Sequence, residues 1–224
     1  MFFRKRFHCS VLISGHPRCG TTSAASLCQR LGVEVGDEWV GARGISSWMM
    51  AVDDRRNPYA NDELGRSRRN LLWDWLILVV RDIETATPSV MLENEYALPS
   101  YSFRRKHILK KVGVDLDDTK DAMSKAILSI VYWSRIILAQ SPDFKFRIED
   151  QQERFRDFLV ESKIAMPEAS ATRVNEKENA GKRYGGMARE KPQIAADAWA
   201  GLGSELKDHV AWYCAQFGYR DPIC

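Results

Sequence analysis

The sequence predicts an α/β fold, with a central, mainly parallel sheet flanked by helices in three layers. An apolar run that includes the β-branched Val11 and Ile13 ends in a glycine-bounded loop and leads straight into helical spacing. A second run, Leu76–Val80, is apolar at every position, as a strand covered on both faces must be. Helix-patterned stretches alternate with these runs, and that alternation calls for crossover connections and parallel strands.

In chain order, the first strand ends at Ser14-Gly15 and a tight loop follows to Gly20. Ala24, Leu27, Cys28 and Leu31 then fall at i, i+3, i+4 and i+7. They form the buried stripe of a first helix, with Gly32 suited to its C′ position. Val33-Glu34-Val35 reads as a short extended piece ending at Gly36-Asp37-Glu38. Residues 41–69 show little periodicity and read as a substrate-side insertion or an irregular helix, with Asn57-Pro58 as a turn. Leu76–Val80 is a central strand, and Thr87-Pro88-Ser89 predicts an N-cap followed by proline at the first helical position. Asp117–Gln140 is the clearest helix, with Ala122, Ala126, Ile130, Trp133 and Ile137 along one face. Phe144–Ile148 is a further short strand, followed by an amphipathic helix carrying Phe155, Phe158 and Leu159. The polar stretch 168–196, with Gly181, Gly185 and Gly186, is too long for an ordinary connection and reads as a mobile segment or a lid. Leu202, Leu206, Val210, Cys214 and Phe217 mark a closing helix stopped by Gly218.

The 224 residues suffice for one well-buried domain, taken as 1–224. A net charge of +3 is too small for a dedicated nucleic-acid binder. No apolar run approaches the length of a membrane span. Met1–Arg6 is basic, but the apolar stretch after it is too short for a signal peptide. The five cysteines, Cys9, Cys19, Cys28, Cys214 and Cys224, lack metal-site spacing. Their odd number and scatter favour reduced thiols, so a cytoplasmic location is expected.

The loop carries the chemistry. Gly15 and Gly20 stand at the P-loop spacing, and a strand–loop–helix unit of this kind aims backbone donors at an anion. Thr21 occupies the position after the second glycine where a P-loop has lysine, and a cation appears instead within the loop, at Arg18. The fold expected is therefore P-loop-like with an altered phosphate site. Downstream, Val79-Val80-Arg81-Asp82 places an arginine at the carboxyl end of a central strand, where ligands of α/β proteins bind. Its planar fork suits a phosphate, and Ser89 follows eight residues later.

Gly15-His16-Pro17-Arg18-Cys19-Gly20-Thr21-Thr22 resembles the 5′-phosphosulfate loop of the sulfotransferases, roughly G-x-P-[KR]-x-G-T-T. Pro17, Arg18, Gly20, Thr21 and Thr22 match, and Cys19 stands where serine is commoner. The resemblance implies transfer of a sulfuryl group from 3′-phosphoadenosine 5′-phosphosulfate (PAPS), leaving adenosine 3′,5′-bisphosphate. It also implies that Arg81 and Ser89 grip the 3′-phosphate, although Ile83 replaces the family's usual proline. Some subgroups place a catalytic glutamate just after the first helix, and Glu38 is similarly placed. His107, His16 and Asp37 are rival bases. The acceptor is a hydroxyl or amine of a small molecule or carbohydrate, with lipid headgroups and peptide tyrosine also open; no nucleic acid and no metal are expected.

Two other functions remain open. One is a kinase-like phosphotransferase using ATP and Mg²⁺, with Thr22 and Asp82 on the metal side. The other is a non-catalytic nucleotide-binding domain. Arg104-Arg105-Lys106 reads as a solvated helix face, and Trp48, Trp73 and Trp133 as core, with Trp48 near enough to Glu38 to line an acceptor pocket. Lys182 and Arg183 do not match the family's later R-K-G-x-x-G pattern.

Overall fold

The structure, a computed structural model, describes residues 7–54, 71–166 and 190–223. The described residues fall into two compact units, parts of 7–80 with 137–166 in one and 81–136 with 190–223 in the other. Most of the 168–196 stretch, with Lys182 and Arg183, lies outside the described residues, as do Asn57-Pro58 and Cys224.

The first unit is built on a five-stranded, all-parallel sheet of β1 (Phe7–Gly15), β2 (Val35–Asp37), β3 (Gly44–Ser46), β4 (Leu71–Val80) and β5 (Phe144–Arg147). Strand order is β2-β3-β1-β4-β5, with β1 in the middle. The long β1–β4 pairing runs from Phe7↔Leu71 to Gly15↔Val79. Helices α1 (Thr21–Arg30) and α5 (Gln152–Glu161) flank it. Val11, Ile13, Ile77, Val79 and Phe146 form one buried core with Ala24, Leu27 and Cys28 of α1 and Phe155 and Leu159 of α5. These strand residues recur at every second position, so they share one face of the sheet. Leu12, Leu76 and Leu78 of the alternate positions are buried as well, which is why these strands read as continuous apolar runs.

Two elements differ from the sequence reading here. Residues 41–54 supply β3 and a single 3₁₀ turn, Trp48–Ala51, rather than an insertion. Gly44 is needed there because a Cβ would drive into the carbonyl of Val11, its register partner. The strand at Leu76–Val80 begins five residues earlier, at Leu71. Trp73, read as core, is only half-buried, whereas Trp48 and Trp133 are buried.

The second unit is helical: α2 (Ile83–Tyr96), α3 (Leu98–Val112), α4 (Ala122–Leu138, whose last two residues belong to the first unit), α6 (Ala196–Ala200) and α7 (Ser204–Phe217). Gly218 closes α7 in the left-handed region at φ 72°, as expected. The expected start of α2 is corrected. Asp82, not Thr87, is its N-cap, accepting from the Glu84 amide at 2.9 Å, and Pro88 lies inside the helix. The carbonyl that Pro88 leaves without its helical donor belongs to Glu84, an exposed residue. The basic run is corrected too. Arg104 is wholly buried, donating to Ser129 at 3.2 Å, to Asn94 at 2.6 Å and to Ser100, with Glu93 3.8 Å away. Arg105 pairs with Asp115 and Asp117, and Lys106 alone is the exposed member.

No helix among the described residues is long and apolar enough to cross a membrane. Cys9, Cys19, Cys28 and Cys214 are buried and form no disulfide. Burial, aided by Asp74, pushes the Cys9 thiol up to about 11.

Candidate active site

The carboxyl edge of the first unit's sheet gathers the loop after β1, the turn after β2, the end of β3 and the turn after β5. All strands run the same way, so every one of these connections emerges at that edge. Gly15 ends β1 where a Cβ would sit 2.5 Å from the carbonyl oxygen of Val79. A side chain there would force β1 and β4 apart.

Beyond Gly15 the chain turns tightly, with the Cys19 amide donating to the His16 carbonyl at 3.0 Å. His16 and Pro17 are buried, and His16 Nδ1 lies 2.6 Å from the Pro17 carbonyl oxygen. A carbonyl only accepts, so that nitrogen carries the proton. Arg18 is half-buried in the left-handed region, at φ 73°. Cys19 is buried.

Gly20, at φ 101° and ψ 20°, is the N-cap of α1 and brings no capping side chain. Gly20 thus supplies no side-chain cap to the first turn of α1, and a helix start is a natural place for an anion. Thr21 is buried and Thr22 half-buried. Ile148, in the turn after β5, packs behind Gly20, where a Cβ would collide with its Cδ1.

The turn after β2 brings Glu38 to the same edge, half-buried and at φ 61°. Its amide donates to the Ser46 carbonyl at 2.9 Å, and its Oε2 accepts from the Ser47 hydroxyl at 2.5 Å. Ser46 donates to the carbonyl of Thr21 at 2.8 Å, tying the end of β3 to the first turn of α1. Sequence reasoning passed over both serines. The signal was faint, because a three-residue strand has no measurable period. At the end of β5, Arg147 is paired with Asp150.

Arg81 and Ser89 belong to the second unit. Arg81 directly follows Val80, the last residue of β4. Its Nε donates to Thr85 Oγ1 at 3.3 Å, and its carbonyl accepts from the Tyr213 hydroxyl at 2.8 Å. Ser89 stands one helical turn beyond Thr85 on the same stripe of α2, almost fully buried. Thr85 is exposed whereas Ser89 is buried. Asp82, the metal-side acid of the kinase alternative, spends one carboxylate oxygen on capping α2.

Of the rival bases, His107 is buried on α3 with its ring 4.6 Å from that of Phe103, and His16 is buried inside the loop. Asp37 has its Oδ1 buried. Glu38 is the half-exposed carboxylate of the set at the sheet edge with a hydroxyl donor fixed on it.

One polar cluster of the second unit was not singled out from sequence. Arg135 Nη2 donates to His209 Nδ1 at 3.5 Å, so the neutral ring carries its proton on Nε2 and donates to Tyr132 Oη, 2.9 Å away. Burial, with Arg135 beside it, holds His209 below its ordinary value. His209 and Tyr132 line an open cleft of about 420 Å³ between α4 and α7.

Compared with protein-family models, curated proteins and solved structures, the chain matches none.

Proposed function

We propose that the chain is a PAPS-dependent sulfotransferase. In this reading the loop from Gly15 to Thr22 is a P-loop-like cradle for the 5′-phosphosulfate, and Arg81 with Ser89 takes the 3′-phosphate. The observation that carries it is the start of α1: an N-cap glycine with no side-chain cap, preceded by a loop whose cation, Arg18, is held in a left-handed conformation. Such a loop offers amides and a guanidinium to a doubly anionic group.

The reaction is an in-line displacement at sulfur. The acceptor oxygen or nitrogen forms a bond to sulfur while the bond from sulfur to the 5′-phosphate oxygen breaks, and adenosine 3′,5′-bisphosphate leaves with that electron pair. Glu38 takes the acceptor proton, a role that contributes about 10²–10⁴-fold. Arg18, the amides of the α1 start and Thr22 oppose the charge that builds on the sulfuryl and leaving oxygens. One such donor is worth roughly 3 kcal/mol of barrier.

Thermal-shift titration tests the donor, comparing adenosine 3′,5′-bisphosphate with ATP plus Mg²⁺. Stabilisation by the bisphosphate, lost in Arg81→Ala, supports the assignment, and stabilisation by ATP–Mg²⁺ alone overturns it. Turnover is then sought by incubating radiolabelled PAPS with alcohols, phenols, amines and sugars. Arg18→Ala removes most of that turnover, and Glu38→Gln removes turnover while the bisphosphate still binds.

A further inference from the structure

Glu38 is held from two directions by consecutive residues of the β3 end. Its amide is fixed on the Ser46 carbonyl, and its carboxylate on the Ser47 hydroxyl. Ser47 is itself rigid. It is fully buried, and its amide donates to the Ile13 carbonyl at 2.9 Å, extending the β1–β3 ladder one step past the Ile13–Ser46 pair. A serine so enclosed has its hydroxyl direction set by the one acceptor it meets, and a hydroxyl–carboxylate bond of 2.5 Å is of the strong, charge-assisted kind.

Ser46, pointing to the opposite face, is bonded to the first turn of α1. One dipeptide therefore fastens three things together: the Glu38 carboxylate, the end of β1 two residues before Gly15, and the start of α1. Glu38 adds a left-handed backbone, which a non-glycine residue keeps only where the surroundings impose it. The carboxylate is thus aimed by the same framework that shapes the anion loop.

We infer that Ser47 is the positioning residue of the base: its hydroxyl fixes the Glu38 carboxylate relative to the phosphosulfate loop. This rests on the sulfotransferase reading and adds to it a residue that never touches the donor. Ser47 acts through Glu38, so removing it leaves nucleotide affinity intact and slows proton removal alone. A displaced catalytic group loses on the order of 10²-fold for an error of about 1 Å.

The test follows PAPS cleavage with water as the acceptor, which requires no knowledge of the natural one. Water oxygen bonds to sulfur, the sulfur–phosphate oxygen bond breaks, Glu38 takes the proton of water, and the products are sulfate and adenosine 3′,5′-bisphosphate. Ser47→Ala lowers the rate about 10- to 100-fold with the bisphosphate Kd within about twofold, and Ser47→Thr, which keeps the hydroxyl, restores most of it. Ser14→Ala is the control, because Ser14 is an equally buried hydroxyl at the next β1 position with no hydrogen-bond partner, and its rate stays at the wild-type level. In the double variant Ser47→Ala/Glu38→Gln the rate is no lower than in Glu38→Gln alone, as for residues acting as one unit. A wild-type rate in Ser47→Ala, or losses that multiply in the double variant, overturns the role of Ser47 and leaves the donor assignment standing. A wild-type protein that does not bind the bisphosphate overturns the donor assignment and Ser47 with it. One that binds it but cleaves no PAPS removes Glu38 and Ser47 from the reaction together.

Discussion

Gly20→Ala tests the construction of the loop most directly. Two penalties meet at this position. The backbone sits at φ 101°, and an L-residue in left-handed space costs about 1–2 kcal/mol. The new methyl would also collide with Ile148 Cδ1, while Cγ2 of the same residue lies 3.1 Å and Cβ 3.4 Å from it. Overpacking of this kind costs about 1–3 kcal/mol. The sum, about 2–5 kcal/mol, corresponds to a fall in Tm of several degrees or more for a chain of this size, at about 2–4 °C per kcal/mol. The two penalties separate in an Ile148→Val background, where Cδ1 is gone but the backbone conformation is unchanged. There Gly20→Ala costs about 1 kcal/mol less than in the wild type, read by urea unfolding of the four proteins of the cycle. Equal costs in the two backgrounds would refute the packing of Ile148 behind the loop, and a cost under about 0.5 kcal/mol in both would refute the left-handed glycine as well.

Arg104→Met removes the buried countercharge of Glu93 and three hydrogen bonds, and unfolding by urea shows a loss of about 3–5 kcal/mol, most of it recovered in Arg104→Met/Glu93→Leu; a loss below about 1 kcal/mol would exclude a buried ion pair there. Asp115 is held down to about 2 from its ordinary 3.8, by the Arg105 hydrogen bond first and then by the Asp117 amide. A depressed carboxylate stabilises the fold above its unfolded value and loses that contribution as pH falls through the folded one, so between about pH 4 and pH 2 Asp115→Asn loses less Tm than the wild type, and parallel melting curves over that range would contradict the pairing.

What could be read from the sequence follows how local each feature is. The loop after β1 is written in eight consecutive residues, and its two glycines were legible because each meets a steric demand: Val79 against Gly15, and a left-handed turn with Ile148 against Gly20. The position of Arg81 just past β4 was legible because an apolar run ends immediately before it. The partner of Glu38 was not, because Ser47 reaches it through a strand of three residues and across nine positions of chain. Arg104 was misjudged for the same reason: its acceptors sit on three helices, at Asn94, Ser100 and Ser129. Beside Lys106, the arginine that alone fills a core position looks like any surface cation. Pro88 misled in the other direction, since a strong local signal was outweighed by the Asp82 cap six residues earlier.

Backbone strain separates the candidate site from the rest of the described chain. Four non-glycine residues there have positive φ: Arg18, Glu38, Ser141 and Lys163. Ser141 and Lys163 lie within three residues of the ends of α4 and α5, their amides returning to the carbonyls of Leu138 and Val160 at 2.9 Å, where a left-handed residue is ordinary. Arg18 and Glu38 close no helix; both stand at the carboxyl edge of the sheet, and both were singled out for their chemistry. If the conformation at Glu38 is imposed by its surroundings, Glu38→Gly must be more stable than Glu38→Ala. Both variants lose the carboxylate and the Ser47 bond, so these losses cancel in the comparison and the backbone term alone remains. Glycine enters left-handed space without the Cβ penalty, which gives it an advantage of about 1 kcal/mol at this position. In an unstrained helix or strand interior the order reverses, with alanine better by about 0.5–1 kcal/mol. The sign of the difference, measured by thermal or urea unfolding, therefore decides the matter. An alanine variant as stable as the glycine one would mean that Glu38 relaxes out of the left-handed region, and a carboxylate free to relax in that way is not aimed by the β3 end.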